Sequence, residues 1–192
     1  MSLTQSIYET LYNLDLRTVG WLLGCALIAA HGFALVKSDS FKERLKRFPR
    51  NHRAGVVVLA VSFSWSLLVW TEMDLGEFYT LERTIQGVLI VGFFLTARYV
   101  TDFLAVRATG MFLILLAAPL LDAAFLEPPA SRLLVVFAAY AWAVAGMFFV
   151  GMPYLMRDAI TWVTSSPQRW NAACAAGIAY GVVVAACAGL FY

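Results

Sequence analysis

Charge is scarce in this 192-residue chain: Asp, Glu, Lys and Arg make up 14% of it, against about a quarter in an ordinary soluble protein. With 61% hydrophobic residues and a mean hydropathy of +0.76, too few polar groups remain to cover a water-soluble globule. Cysteine is limited to three residues, which excludes a disulfide scaffold, and 13 glycines and six prolines exclude collagen-like or low-complexity sequence. Metalloprotease H-E-x-x-H, hydrolase G-x-S-x-G, Walker and dinucleotide glycine signatures are all missing. Cys25, Cys174 and Cys187 form no C-x-x-C pair and fall within apolar stretches, where thiols behave as small apolar groups.

Long apolar runs, by contrast, are abundant. A hydrocarbon layer about 30 Å thick needs roughly 17–25 apolar residues per helix, because no water is present to bond free backbone groups. Six stretches qualify: 19–36, 54–70, 84–100, 109–125, 133–152 and 172–191. The expected fold is an all-α integral membrane bundle of six transmembrane helices, forming a single transmembrane domain over residues 1–192. The fourth stretch carries Pro119, which should kink it, with Arg107 on its flank and Asp122 near its far end.

Orientation follows from Lys and Arg. One face collects Lys37, Lys42, Arg44, Lys46, Arg47, Arg50 and Arg53 between the first two spans, then Arg98 and Arg107, then Arg157 and Arg169. The other face keeps only Arg17, Arg83 and Arg132. This predicts a protein of the inner or plasma membrane with basic connectors in the cytoplasm and both termini outside. Met1–Thr18 lacks the basic start of a cleavable signal; Ile7, Tyr8, Leu11, Tyr12 and Leu14 suggest a short amphipathic helix on the outer surface.

Between the first two spans, Ser40-Phe41-Lys42-Glu43 has capping-box spacing, which predicts a helix starting at Ser40 and stopped by Pro49. Phe41, Leu45 and Phe48 share one face, read as lying in the acyl boundary, while Lys42, Arg44, Lys46 and Arg47 meet anionic headgroups. Arg157–Trp170 repeats that layout, with Pro167 in the place of Pro49. Small residues recur every four positions along the last span (Ala173, Gly177, Gly181, Ala185, Gly189) and in the first at Gly20 and Gly24, with Gly32 beyond. Such stripes let helix backbones approach closely, and packing within the chain is expected before packing against a second copy.

Polar groups at membrane depth are candidate sites. His31 and His52 are the two histidines; a haem would need both as opposed ligands, and no metal or cofactor is expected. Arg98 and Asp102, spaced i, i+4, would share a face and pair if their helix continues. The acidic run Glu72, Asp74 and Glu77, with Glu82, lacks an EF-hand pattern and reads as an ordinary translocated loop. The basic loop is too short and too poor in aromatics for nucleic acid. The leading expectation is a non-enzymatic bundle: a membrane-complex subunit, small carrier or assembly factor, in contact with the bilayer and a partner or second copy. The alternative is an enzyme or binding protein for an anionic lipid or lipid-linked substrate, with Arg98, Arg107 and Arg157 on the headgroup and His31, Asp102 or Asp158 moving a proton.

Overall fold

The computed structural model describes residues 3–73 and 76–192, except the side chain of Phe78. It is 87% helical with no strand among the described residues. Six helices are long and apolar enough to cross a membrane: α2 (Leu16–Val36), α4 (His52–Glu72), α5 (Glu82–Tyr99), α6 (Leu104–Ala123), α7 (Arg132–Gly151) and α9 (Pro167–Leu190). Three shorter ones flank them: α1 (Leu3–Tyr12), α3 (Ser38–Arg47) and α8 (Tyr154–Thr164). Large apolar side chains such as Leu22, Val57, Phe94, Phe137 and Val183 point outward, which suits a hydrocarbon surrounding and not water.

Local chemistry sets several helix ends. The Asp15 carboxylate accepts from the Thr18 N–H at 3.2 Å to start α2, and Asn51 accepts from the Ala54 N–H at 3.1 Å to start α4. Those Thr18 hydrogen bonds hold the Asp15 carboxyl below the usual carboxylate range. Pro167 stands in the first turn of α9, where its missing N–H costs nothing, so the last span begins five residues before the expected 172. The fourth span likewise begins at Leu104, not at 109, so Arg107 is inside the helix rather than on its flank. The helix α3 starts at Ser38 without any side-chain cap, so the Ser40–Glu43 box does not form. It ends at Arg47 and a 3-10 turn over Phe48–Arg50 takes up Pro49.

The spans form three close crossings. Helix α2 lies along α9, α6 along α7, and α4 along α6. The main apolar core joins four of them, with Leu16, Val19 and Leu23 of α2, Ala117 and Leu120 of α6, Val135 and Ala139 of α7 and Val184 of α9. At each crossing a glycine lets the backbones meet. A Cβ on Gly24 would lie 2.7 Å from the Gly181 carbonyl oxygen, and one on Gly181 2.8 Å from that of Gly24. Gly20 sits equally close to the Ala188 methyl, and Gly177 has no room for a side chain beside the His31 ring. Gly189 is looser, 3.4 Å from Trp21, and Gly32 meets nothing within 4 Å, so the first-span stripe ends before it. Ala185 is buried against α2 whereas Ala173 is exposed.

Two crossings lay outside the expected stripes. Gly110 and Gly146 face each other, each Cβ position 2.6 Å from the other's carbonyl oxygen, and Gly55 abuts the Ala105 backbone at 2.7 Å. Helix α5 has no such contact: its Gly87 and Gly92 meet nothing within 4 Å, and none of its most apolar 18-residue window is buried, against 44% for α6. It is joined to α6 through Phe103, held in the left-handed region at φ 55°, a conformation that costs a non-glycine residue about 1–2 kcal/mol.

Gly110→Val should force α6 and α7 apart and lower stability by about 1–3 kcal/mol. Gly92→Ala, with open space around it, should not lower it. Thermal unfolding of the two variants in one detergent checks the pair.

Candidate functional site

The basic-face charges are the candidates for a shared site in the alternative reading, and in the fold each is tied to a different neighbour. Helix α5 ends at Tyr99 and Val100 caps it, so Arg98 and Asp102 do not share a helix face, and no ion pair joins them. Arg98 is exposed and lies over the Tyr99 ring, 5.8 Å from its centroid. Arg157 is spent on its neighbour Asp158, Nε to Oδ1 at 2.9 Å, with both side chains about half exposed. The helix carrying Arg98 rests on α4, whereas α8, carrying Arg157, rests on α3, α7 and α9.

Arg107 has a structural task. Its guanidinium donates to the Val150 carbonyl at 2.6 Å, satisfying one of the free carbonyls in the last turn of α7 and placing a cation at the negative end of that helix dipole. Its Nε is buried without a partner, while the residue as a whole is half-buried.

On the same face, α3 folds back on the protein. Phe41 and Leu45 pack against Ala34, Trp170 and Cys174, so this apolar side covers the ends of α2 and α9. Arg44, Lys46 and Arg47 stay exposed, and the Arg47–Glu43 pair at 3.6 Å is too solvated to hold much. Lys42 is drawn inward over the Trp170 ring, 5.1 Å from its centroid. Helices α3 and α8 touch, which places both short connectors at the same end of the bundle.

Beneath them is a cavity of about 230 Å³ bounded by α2, α3, α8 and α9. His31 forms part of its wall. A carbonyl can only accept, so the 2.8 Å contact between His31 Nδ1 and the Leu27 oxygen assigns the proton to Nδ1. His52 is exposed at the first turn of α4 and does not line this cavity. Trp170 does, at 3% exposure, and its indole N–H has no hydrogen-bond partner. An unmet buried donor of this kind costs about 1–3 kcal/mol. Nothing in the linear sequence singled out Trp170; the signal was its position three residues into the last span, facing the apolar side of α3.

A larger cleft of about 530 Å³ opens between α4, α5 and α6. Both of its serine hydroxyls are already used: Ser62 Oγ donates to Val58 at 2.9 Å and reaches the Ala108 carbonyl at 3.4 Å, and Ser66 donates to Ser62. At the opposite end Asp122 shares a shallow cavity with Tyr8 and Tyr12, whose rings stack at 4.6 Å. Tyr12 accepts from Trp65 Nε1 at 3.3 Å, tying α1 to α4, and burial pushes its phenol up. Asp74 of the acidic run lies outside the described residues. Among the described residues no three of His, Cys, Asp and Glu gather where they would hold a metal ion.

No family model, curated protein or solved structure matches the chain.

Arg107→Met keeps the apolar stem but loses the bond to Val150, and should cost about 1.5–3 kcal/mol. Arg157→Met, at an exposed pair, should cost no more than about 1 kcal/mol. Chemical denaturation in detergent micelles compares the two.

Proposed function

We propose that the chain is a non-enzymatic multi-pass protein of the inner or plasma membrane, a subunit or assembly factor of a membrane complex, with its basic face in the cytoplasm. Helix α5 carries this reading. Helices in lipid associate through van der Waals packing and close backbone approach; α5 has no close backbone approach at its glycines and no buried residue, and is held by partly buried side chains such as Phe93 and Ala97 against α4 and α6. A partner helix laid along Val88, Val91 and Leu95 would supply the missing contact and close the cleft toward α4 and α6. That Arg98, Arg107 and Arg157 are each tied to a different neighbour favours assembly over chemistry at the basic face. The excess of Lys and Arg on that face supports its cytoplasmic placement, with both ends of the chain outside and exposed Arg44, Lys46 and Arg47 among anionic headgroups.

A photo-crosslinking residue at Val91, irradiated in native membranes, should give one discrete saturable adduct that the same residue at Val183 of α9 does not. A strictly solitary monomer, by crosslinking and by native mass spectrometry, would count against the subunit reading. For sidedness, a periplasm-active phosphatase fused after Tyr192 should be active and a fusion within 37–53 inactive; the reverse pattern would invert the orientation.

A further inference from the structure

We infer that the cavity between α1 and the far end of α6 is a binding site for a quaternary ammonium group, held by the Asp122 carboxylate and the rings of Tyr8, Tyr12 and Phe125. The inference needs the packed fold but neither the subunit reading nor the orientation in the membrane.

The lining comes from segments that only folding brings together. Tyr8 and Tyr12 sit one turn apart on α1, and their rings stack 4.6 Å apart at an angle of 18°. Nearly parallel rings keep an outer face each besides the one they share. Tyr12 is fixed further by the Trp65 indole N–H, which donates to its oxygen at 3.3 Å. Asp122 stands in the last turn of α6, and Phe125 just past it adds a third ring, 71% exposed. Ala118 and Leu121 complete the wall, so no cationic side chain lines it. Among the described residues none forms an ion pair with Asp122. Its charge reaches the rings: the Tyr12 phenol, pushed up chiefly by burial, is raised further by Asp122.

Charge and shape decide what such a wall recognises. An aromatic face carries negative potential and attracts a cation within about 6 Å of the ring centre. A quaternary ammonium spreads its charge over methyl groups, so a wall of rings replaces its weakly held water at little cost. The carboxylate beside the rings then balances the charge. Calcium takes roughly six to eight oxygens, whereas this wall offers one carboxylate and two phenols. A primary ammonium is compact and strongly hydrated, and rings return few of the hydrogen bonds it would lose. Space is sufficient: the cavity holds about 350 Å³, within the roughly 300–1,000 Å³ of small-molecule sites. Tyrosines alone are ordinary at a membrane interface. The unpaired carboxylate set among them is what selects a cation.

The test uses the full chain in maltoside micelles, with choline as the probe and saturation-transfer NMR on its methyl signal, empty micelles subtracted. The wild type should give a saturable signal in the millimolar range. Tetramethylammonium should displace choline. The uncharged alcohol with a tert-butyl group in place of the trimethylammonium should compete about fivefold less well. Asp122→Asn keeps the side-chain size and removes the charge, and should weaken choline binding about three- to fivefold. Tyr8→Leu should weaken it about threefold and Tyr8→Phe less than about twofold, because the ring and not the hydroxyl makes the contact. Glu127→Gln, at an exposed carboxylate that lines a different cavity, should leave binding unchanged. Displacement by phosphatidylcholine and not by phosphatidylglycerol supports the site and puts the ammonium on a lipid headgroup. No displacement by either lipid supports it with a soluble amine as the source. Absence of a saturable signal overturns the assignment, as does an Asp122→Asn protein that binds as the wild type does. Equal competition by the uncharged alcohol would leave only an apolar groove, and equal displacement by sodium chloride only a general counterion effect; either result also overturns it.

Discussion

Backbone approach at glycine is the constraint on which the rest of this molecule depends. Lipid removes the hydrophobic force that holds soluble helices together, so cohesion must come from dispersion over short distances. At Gly24 with Gly181, Gly110 with Gly146, and Gly55 with Ala105, the carbonyl or amide of one helix occupies the space a side chain would take on the other. These three crossings make a pair, α2 with α9, and a trio, α4, α6 and α7, with α6 central because two crossings fall on it; the apolar core around Leu16, Val19, Leu120, Val135 and Val184 joins the two. Helix α5 lacks any such crossing, and its lack of burial follows from that.

The same geometry explains what happens to the charges. Once α6 and α7 are pinned at Gly110 and Gly146, the first turn of α6 lies beside the last turn of α7, and Arg107 falls within reach of the Val150 carbonyl. Once α2 and α9 are pinned, α3 and α8 share the ground above them, and Phe41 and Leu45 find protein to cover. A basic connector that would otherwise float at the interface therefore becomes a lid over the His31 and Trp170 cavity, with Lys42 turned inward and Arg44, Lys46 and Arg47 left outside.

Much of the architecture was legible residue by residue. The six spans agree with the sequence to within a few residues except where polar groups deceive: Arg107 read as a flank because a lone charge is costly in lipid, and it is tolerated because α7 offers it a carbonyl. The last-span stripe was visible because it repeats every four residues. The Gly110–Gly146 crossing was not, since one glycine per helix makes no period. The Arg98–Asp102 pair failed for a local reason: the chain turns at Val100 and Phe103 adopts a left-handed conformation that no i, i+4 pattern announces.

Composition and periodicity by themselves determined that this chain is a membrane bundle, how many times it can cross, and which end gathers cations, because those properties are sums over residues and require no knowledge of neighbours. Only the tertiary structure decided which helices touch, that α5 is the least buried of the spans, and that Trp170 and His31 line one cavity beneath α3 and α8. Their meeting depends on the rotation and depth of four separate helices, and these are set by single close contacts whose partners lie more than a hundred residues away in the chain.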